Sequence, residues 1–154
     1  MEKLIFDTGI REFQINNGVL RFNPADPNVC DRFMKAGDQI KAVEDKLIAK
    51  AKELIPEEAT EDNGAIVVQL MAEADKEIKK ILAYIFGAEN DFDAIFDGGS
   101  TMAPGANGER ALTNFLNALL PIVKAGAERY VNQQIGSATD RAKANRAQRR
   151  AAKK

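Results

Sequence analysis

The sequence predicts a mainly α protein. An N-terminal β-hairpin or small antiparallel sheet packs on a bundle of three main helices, followed by a basic C-terminal tail, helical or disordered. Three observations predict this. Up to Phe22 the apolar residues alternate with period two, whereas from Val29 they recur every three or four residues. Between the two regimes, Asn23-Pro24 ends an extended run and Asp26-Pro27 is a helix-start signal. The segment 141–154 holds seven basic residues (Arg141, Lys143, Arg146, Arg149, Arg150, Lys153 and Lys154) and no acid.

At the N-terminus, residues 3–7 and 10–15 read as strands, with a turn at Thr8-Gly9. Asn17-Gly18 suits the two central positions of a type I′ turn, where both residues need positive φ. A two-residue loop there pairs Ile15 with Leu20, Gln14 with Arg21 and Phe13 with Phe22. Phe13, Ile15, Leu20 and Phe22 then share one face, and Gln14 and Arg21 the other. Such a hairpin is marginal alone, so its apolar face must rest on the helices.

The first helix starts at Asp26, whose carboxylate caps free amides, with Pro27 at the first helical position. Val29, Phe33, Ala36, Ile40, Val43 and Leu47 form its seam, continued less regularly by Ala51 and Leu54. Pro56 marks its end, and residues 56–64 read as an acidic turn-rich connection. The second helix repeats the rhythm through Val67, Met71, Ala74, Ile78, Ile81 and Ile85, and Gly87 stops it. Two similar seams joined by a short loop make an antiparallel helical pair.

Residues 87–108 are irregular, with one short helical turn within 90–99 and a mobile loop over 100–108. The third helix begins near Asn107 and carries Leu112, Phe115, Leu116, Leu119, Ile122 and Val123, then Tyr130, Val131 and Ile135. Pro121 inside it should kink it. Gly136-Ser137 then breaks the pattern. The domain is therefore 1–136, with its hairpin in 1–24, and the tail is 137–154. That tail has good helix propensity but no apolar stripe.

Composition narrows the chemistry. The chain has 154 residues, enough for one domain with a real core, and 45% hydrophobic and 29% charged residues fit a globular protein. One cysteine, Cys30, excludes an internal disulfide framework. Without histidine the usual zinc site, the serine–histidine triad and the commonest general base are missing. Without tryptophan, and with two tyrosines, an aromatic nucleic-acid platform is disfavoured. No run approaches a membrane span and the N-terminus has no long apolar h-region, so the expected location is the cytoplasm. Net charge is −1, but setting aside the seven basic residues of 141–154 leaves an acidic body of −8.

No candidate chemical site survives this inventory. Asp91, Asp93 and Asp97 with Asn90 miss the calcium-loop spacing: with Gly98 sixth, Ile95 falls third and Pro104 twelfth. They read as solvated loop acids. The glycines at 98, 99, 105 and 108 lack the Gly-Lys-Ser/Thr that closes a phosphate loop. Glu57, Glu58, Glu61 and Asp62 have no hydrophobic pocket to separate their pKa values. No catalytic residue, metal or cofactor is expected.

Phe92, Ile95 and Phe96 are three large apolar residues in a polar loop, read as a plug on the helical pair or as partner contacts. The basic tail reads as a solvated segment, as an RNA-binding segment, or as a dock for an acidic partner such as a neighbouring copy. The acidic body disfavours nucleic acid. Any surplus of apolar helical surface would serve self-association or a long helical partner.

From Arg21 to Phe33 the chain reads Arg-Phe-Asn-Pro-Ala-Asp-Pro-Asn-Val-Cys-Asp-Arg-Phe. This resembles a segment of tail assembly chaperones from long-tailed bacteriophages and prophages of Gram-positive hosts, where a strand ending in Phe-Asn-Pro-x-Asp enters a helix. Ile85-Phe-Gly87, Ile95-Phe-Asp-Gly98, Phe115-Leu-Asn-Ala-Leu-Leu-Pro-Ile-Val123 and Glu128-Arg-Tyr-Val131 follow in matching order, and the basic C-terminus is similar. The resemblance implies a non-enzymatic helical protein of the host bacterial cytoplasm, acting in virion morphogenesis. It would bind the tape-measure protein and keep it soluble until tail-tube polymerisation. The alternative expectation is a small phage nucleic-acid-binding regulator acting through the arginine-rich tail.

Overall fold

The computed structural model describes residues 1–55 and 61–152. The chain runs β1 (Arg11–Ile15), β2 (Gly18–Phe22), α1 (Pro27–Leu54), α2 (Glu61–Phe86), α3 (Phe92–Ile95), α4 (Ala111–Tyr130), a π-helical turn (Val131–Ile135) and α5 (Gly136–Ala152). It is mainly helical with a two-stranded antiparallel sheet, as the periodicities predict. The expected helix end at Pro56, the acids Glu57 and Glu58, and Lys153 and Lys154 lie outside the described residues.

The hairpin forms, but two residues away from the expected register. Phe13 faces Leu20 and Ile15 faces Gly18, so the loop is Asn16-Asn17 rather than Asn17-Gly18. Asn16 takes the left-handed conformation, φ 53°. An asparagine tolerates that conformation because its short amide can bond locally. Here it donates to the Ile95 carbonyl at 2.9 Å, while Asn17 donates to Asp97 at 2.7 Å. Gly18 is needed for another reason: a Cβ there would lie 2.7 Å from the Ile95 nitrogen. A slip of two preserves parity, so Leu20 and Phe22 are still buried and Phe13 and Ile15 half-buried. Directly opposite each other on the outer face, Glu12 and Arg21 pair at 3.1 Å.

The expected strand at 3–7 does not form. Residues 1–10 lie outside the sheet and are all exposed. Gly9 turns with φ 74°, and the Asn23 amide holds the Thr8 carbonyl at 3.0 Å beside the end of β2.

Asp26 caps α1, accepting from the Asn28 amide at 2.9 Å, and Val29, Phe33, Ala36, Ile40 and Val43 are its buried seam. Ile55, preceding Pro56, is extended, as prolines require of the residue before them. The α2 helix already starts at Glu61, inside the expected connection. It lies antiparallel to α1: Lys46 pairs with Glu77 at 3.1 Å, and Lys50 with Glu73 at 3.6 Å. The buried stripe of α2 is Leu70, Ala74, Ile78, Leu82, Ile85 and Phe86, whereas Val67 is exposed and Met71 half-buried. Both stripes are apolar, and only packing on α1 through Leu70 chooses between them.

Phe86 joins four elements. Its ring lies 5.1 Å from Phe22, 6.2 Å from Phe33, 6.3 Å from Phe92 and 6.1 Å from Phe115, mostly edge to face. Such geometry adds about 0.5–1.5 kcal/mol per pair beyond area burial. Next to it, Gly87 ends α2 with φ 117°.

Two further expectations need correction. The segment 100–108 is hydrogen-bonded and anchored at its start: Thr101 and Met102 are buried, and Gly105 donates to Glu109 and Ala111 to Ala103, while most of 103–108 is exposed. The chain is also helical through Gly136-Ser137. The π turn widens the helix ahead of α5, and a glycine inside a helix costs only about 1 kcal/mol. The third helix starts at Ala111 and continues past Pro121.

Gly126 lies on the buried face of α4, against the turn that precedes α1. A Cβ there would collide with the Pro24 carbonyl oxygen, a contact that backbone must shift to relieve. Gly126→Ala should therefore lower stability by about 1–3 kcal/mol. Gly37→Ala in α1, whose Cβ meets nothing within 4 Å, should raise it by about 0.5–1 kcal/mol. Urea midpoints of the two variants measure both effects.

Candidate partner-binding surfaces

A groove of about 920 Å³ lies between the outer face of α2 and the segment 90–104. Val68, Met71, Ala72 and Ala83 of α2 form one wall, and Phe92, Met102 and Pro104 give apolar surface opposite. Val68 is 69% exposed, an unusual state for a valine on the floor of a long helix face. Lys76 and Lys80 also line it and make no ion pair among the described residues.

A partly buried ionic cluster holds the two walls together, with Asp75 and Lys79 half-buried and Asp93 exposed. The Lys79 ammonium donates to Asp75 at 2.9 Å, to Asp93 at 2.8 Å and to the Gly99 carbonyl at 3.0 Å, which uses all three of its donors. Asp75 accepts from the Thr101 amide at 2.7 Å and its hydroxyl at 2.6 Å. Burial works against the charge of Asp75, but the Thr101 donors and Lys79 outweigh it, and its pKa sits below the usual carboxylate value. Burial likewise opposes the charge of Lys79, and Asp93 and Asp75 outweigh that, holding its pKa above the usual lysine value. Every strong acceptor and donor here is satisfied from within the protein, which makes the cluster a fastening.

The loop acids turn out to be partnered. Asp91 caps α3 by accepting from Ala94 at 3.1 Å, Asp93 belongs to the lysine cluster and Asp97 accepts from Asn17. Asn90 is buried, and its amide does two jobs. Its Oδ1 accepts from the Arg21 amide at 2.7 Å, while Nδ2 donates to the Arg21 carbonyl at 3.0 Å and to the Phe86 carbonyl at 3.0 Å. Among the described residues no group of three or more His, Cys, Asp or Glu side chains could hold a metal. Burial, with Asp26 nearby, raises the pKa of the Cys30 thiol, which disfavours the nucleophilic thiolate.

The aromatic plug goes inward. Phe92 and Ile95 are buried, and Phe96 is half-buried against Phe115 at 5.2 Å, beside a smaller hollow of about 370 Å³. In the folded chain Phe92 and Ile95 are almost wholly buried, 4% and 1% exposed. Only the edge of Phe92 reaches the groove. By contrast, Arg141, Lys143, Arg146, Arg149 and Arg150 are all exposed on α5. No helix of the described residues is long and apolar enough to cross a membrane. The groove escaped the sequence because its lining spans 36 residues, from Val68 to Pro104 (104 − 68), and its apolar members look like ordinary helix positions.

Comparison with protein-family models, with characterised proteins and with solved structures gives no match.

The ionic cluster gives a signed pH dependence. The stabilisation from Asp75 is present above its unfolded pKa of about 3.9 and is lost as pH falls through the lower folded value. That from Lys79 is present below about 10.4 and is lost as pH rises through the higher folded value. Asp75→Asn should cost about 1–3 kcal/mol at neutral pH by leaving Lys79 and Thr101 short of a charged acceptor. Its difference from wild type in urea melts should begin to shrink as pH falls below about 4 and go on shrinking as pH falls through the lower folded value, where Asp75 becomes neutral in the folded protein too.

Proposed function

We propose that the protein is a tail assembly chaperone of a long-tailed bacteriophage, binding the helical tape-measure protein and keeping it soluble until tail-tube subunits polymerise around it. The observation that carries this is the open apolar groove along α2, set beside the resemblance of residues 21–33 and of the later segments. From Val68 to Ala83 the groove floor runs about 22 Å, room for about four turns of a client helix. The client's apolar stripe would cover Val68, Met71 and Ala72. Lys76 and Lys80 would meet carboxylates at its edge, which favours an acidic flank on the client helix. The acidic body would keep the complex soluble. Nothing in this action calls for catalysis, and the site of action would be the host bacterial cytoplasm.

One observation favours the second reading, a nucleic-acid-binding regulator. Lys143, Arg146, Arg149 and Arg150 fall within about 120° of arc on α5, presenting one basic face to solvent. Deleting 141–154 should abolish a salt-dependent RNA mobility shift if that reading holds, and leave client binding unchanged if the first does.

The decisive experiment is co-expression of the full chain with helical fragments of the tape-measure protein encoded beside it. Wild type should co-purify with a fragment that is insoluble alone. Val68→Glu combined with Lys80→Glu should reduce capture at least tenfold without shifting the melting curve, because both side chains lie at the surface. Separate elution of wild type and every fragment would refute the proposal.

A further inference from the structure

The N-terminal arm is the most conspicuous unsatisfied part of the surface. Leu4, Ile5 and Phe6 are consecutive and are 88%, 77% and 73% exposed, and Met1 and Ile10 are exposed as well. Among the described residues, residues 1–6 make no hydrogen bond, so neither their side chains nor their backbone has a partner. Yet Leu4 and Phe6 fall on one side of an extended chain and Lys3, Ile5 and Asp7 on the other, the alternation of a strand.

A second unsatisfied feature lies in the sheet. It has two strands only, so the outer edge of β1 presents free amides and carbonyls along Arg11–Ile15. In its own molecule the arm is held away from this edge: Asn23, the residue after β2, donates to the Thr8 carbonyl, so the chain entering β1 is tied on the β2 side. An arm arriving from elsewhere meets no such restriction.

We propose that the protein is a dimer in which the arm of each copy, residues 3–7, adds as a strand to the outer edge of β1 in the other. Exchange in both directions is an isologous arrangement, closed by one two-fold axis. Leu4 and Phe6 of each arm, 88% and 73% exposed, would be covered by the apolar face of the other copy while Ile5 stays on the outer face; with reciprocal backbone pairing this puts the contact near the lower bound of a stable interface, about 1,200 Å². Backbone pairing supplies affinity and the alternating Leu4 and Phe6 supply register. On the β1 edge, Phe6 or Leu4 extends the apolar face of Phe13 and Ile15, both half-buried in the isolated chain. The dimer does not depend on any client, so it stands or falls separately from the chaperone function.

Sedimentation equilibrium of the full chain, together with hydrogen exchange followed by mass spectrometry, tests it. Wild type should sediment as a dimer. Leu4→Glu with Phe6→Glu should sediment as a monomer with an unchanged circular dichroism spectrum, because these residues contribute no contact to the folded body. Slowed exchange in the wild-type dimer should cover residues 3–7 and 11–15, and both segments should lose it in the variant. A monomeric wild type at high micromolar concentration overturns the proposal, as does a dimer that survives the double substitution. Protection appearing along α2 and 98–104 in place of β1 would put the arm in the groove and overturn the edge-pairing geometry.

Discussion

The amide side chain of Asn90 holds this fold together at the point where strand meets helix. A two-stranded hairpin has too little area to persist alone. Here its inner strand borrows a partner from outside the sheet. Asn90 receives the Arg21 amide and donates to the Arg21 carbonyl, as a neighbouring strand would, and the same nitrogen donates to the Phe86 carbonyl at the end of α2. One buried amide thus satisfies groups that would otherwise be stranded at both places, where each would cost about 1–3 kcal/mol. Moving it would free the hairpin, and with it the close approach of Gly18 to Ile95.

Phe86 stands four residues before that amide and converts the local fastening into a core. Its contacts with Phe22, Phe33, Phe92 and Phe115 mean that hairpin, long helices and short loop helix share one aromatic centre. The loop beyond is then sewn to α2 from the other side by Asp75, Lys79 and Thr101. Because both edges of the 90–104 segment are anchored, the hollow between it and α2 keeps its walls. A groove built on rigid elements is a better recognition surface than a mobile loop would have been.

Charge is segregated by the same architecture. Among the described residues, ion pairs link β1 to β2, α1 to α2, α1 to the N-cap of α4 and α2 to α3, two more lie within α1 and α2, and none involves α5. The basic residues of α5 thus remain on a helix continuous with α4 through the π turn. Exposed pairs of this kind contribute only about 0–1 kcal/mol each, so the arrangement says more about what the surface meets than about stability.

Much of this was legible in the residues. The change of period near Phe22, the cap at Asp26, the seam of α1, the stop at Gly87 and the helical turn at 92–95 follow from local chemistry that one segment carries by itself. The hairpin faces were legible too, because parity survives a slip of two; the register was not, since Asn16, Asn17 and Gly18 all suit turns and Ile95 and Asp97 made the choice. Likewise Val67 and Leu70 are equally apolar, and only contact with α1 ranked them. Asn90 looked like one more loop polar, and Gly126 like a flaw in a helix, until Arg21 and Pro24 were brought against them. The sequence by itself determined the elements and the sign of each surface, because period, capping and charge act within a few residues. The tertiary structure alone decided the register, the groove and the fate of Phe92, Ile95 and the arm, because burial and hydrogen bonding there depend on partners from 14 to 80 residues away, or, for the arm, on none in the same chain.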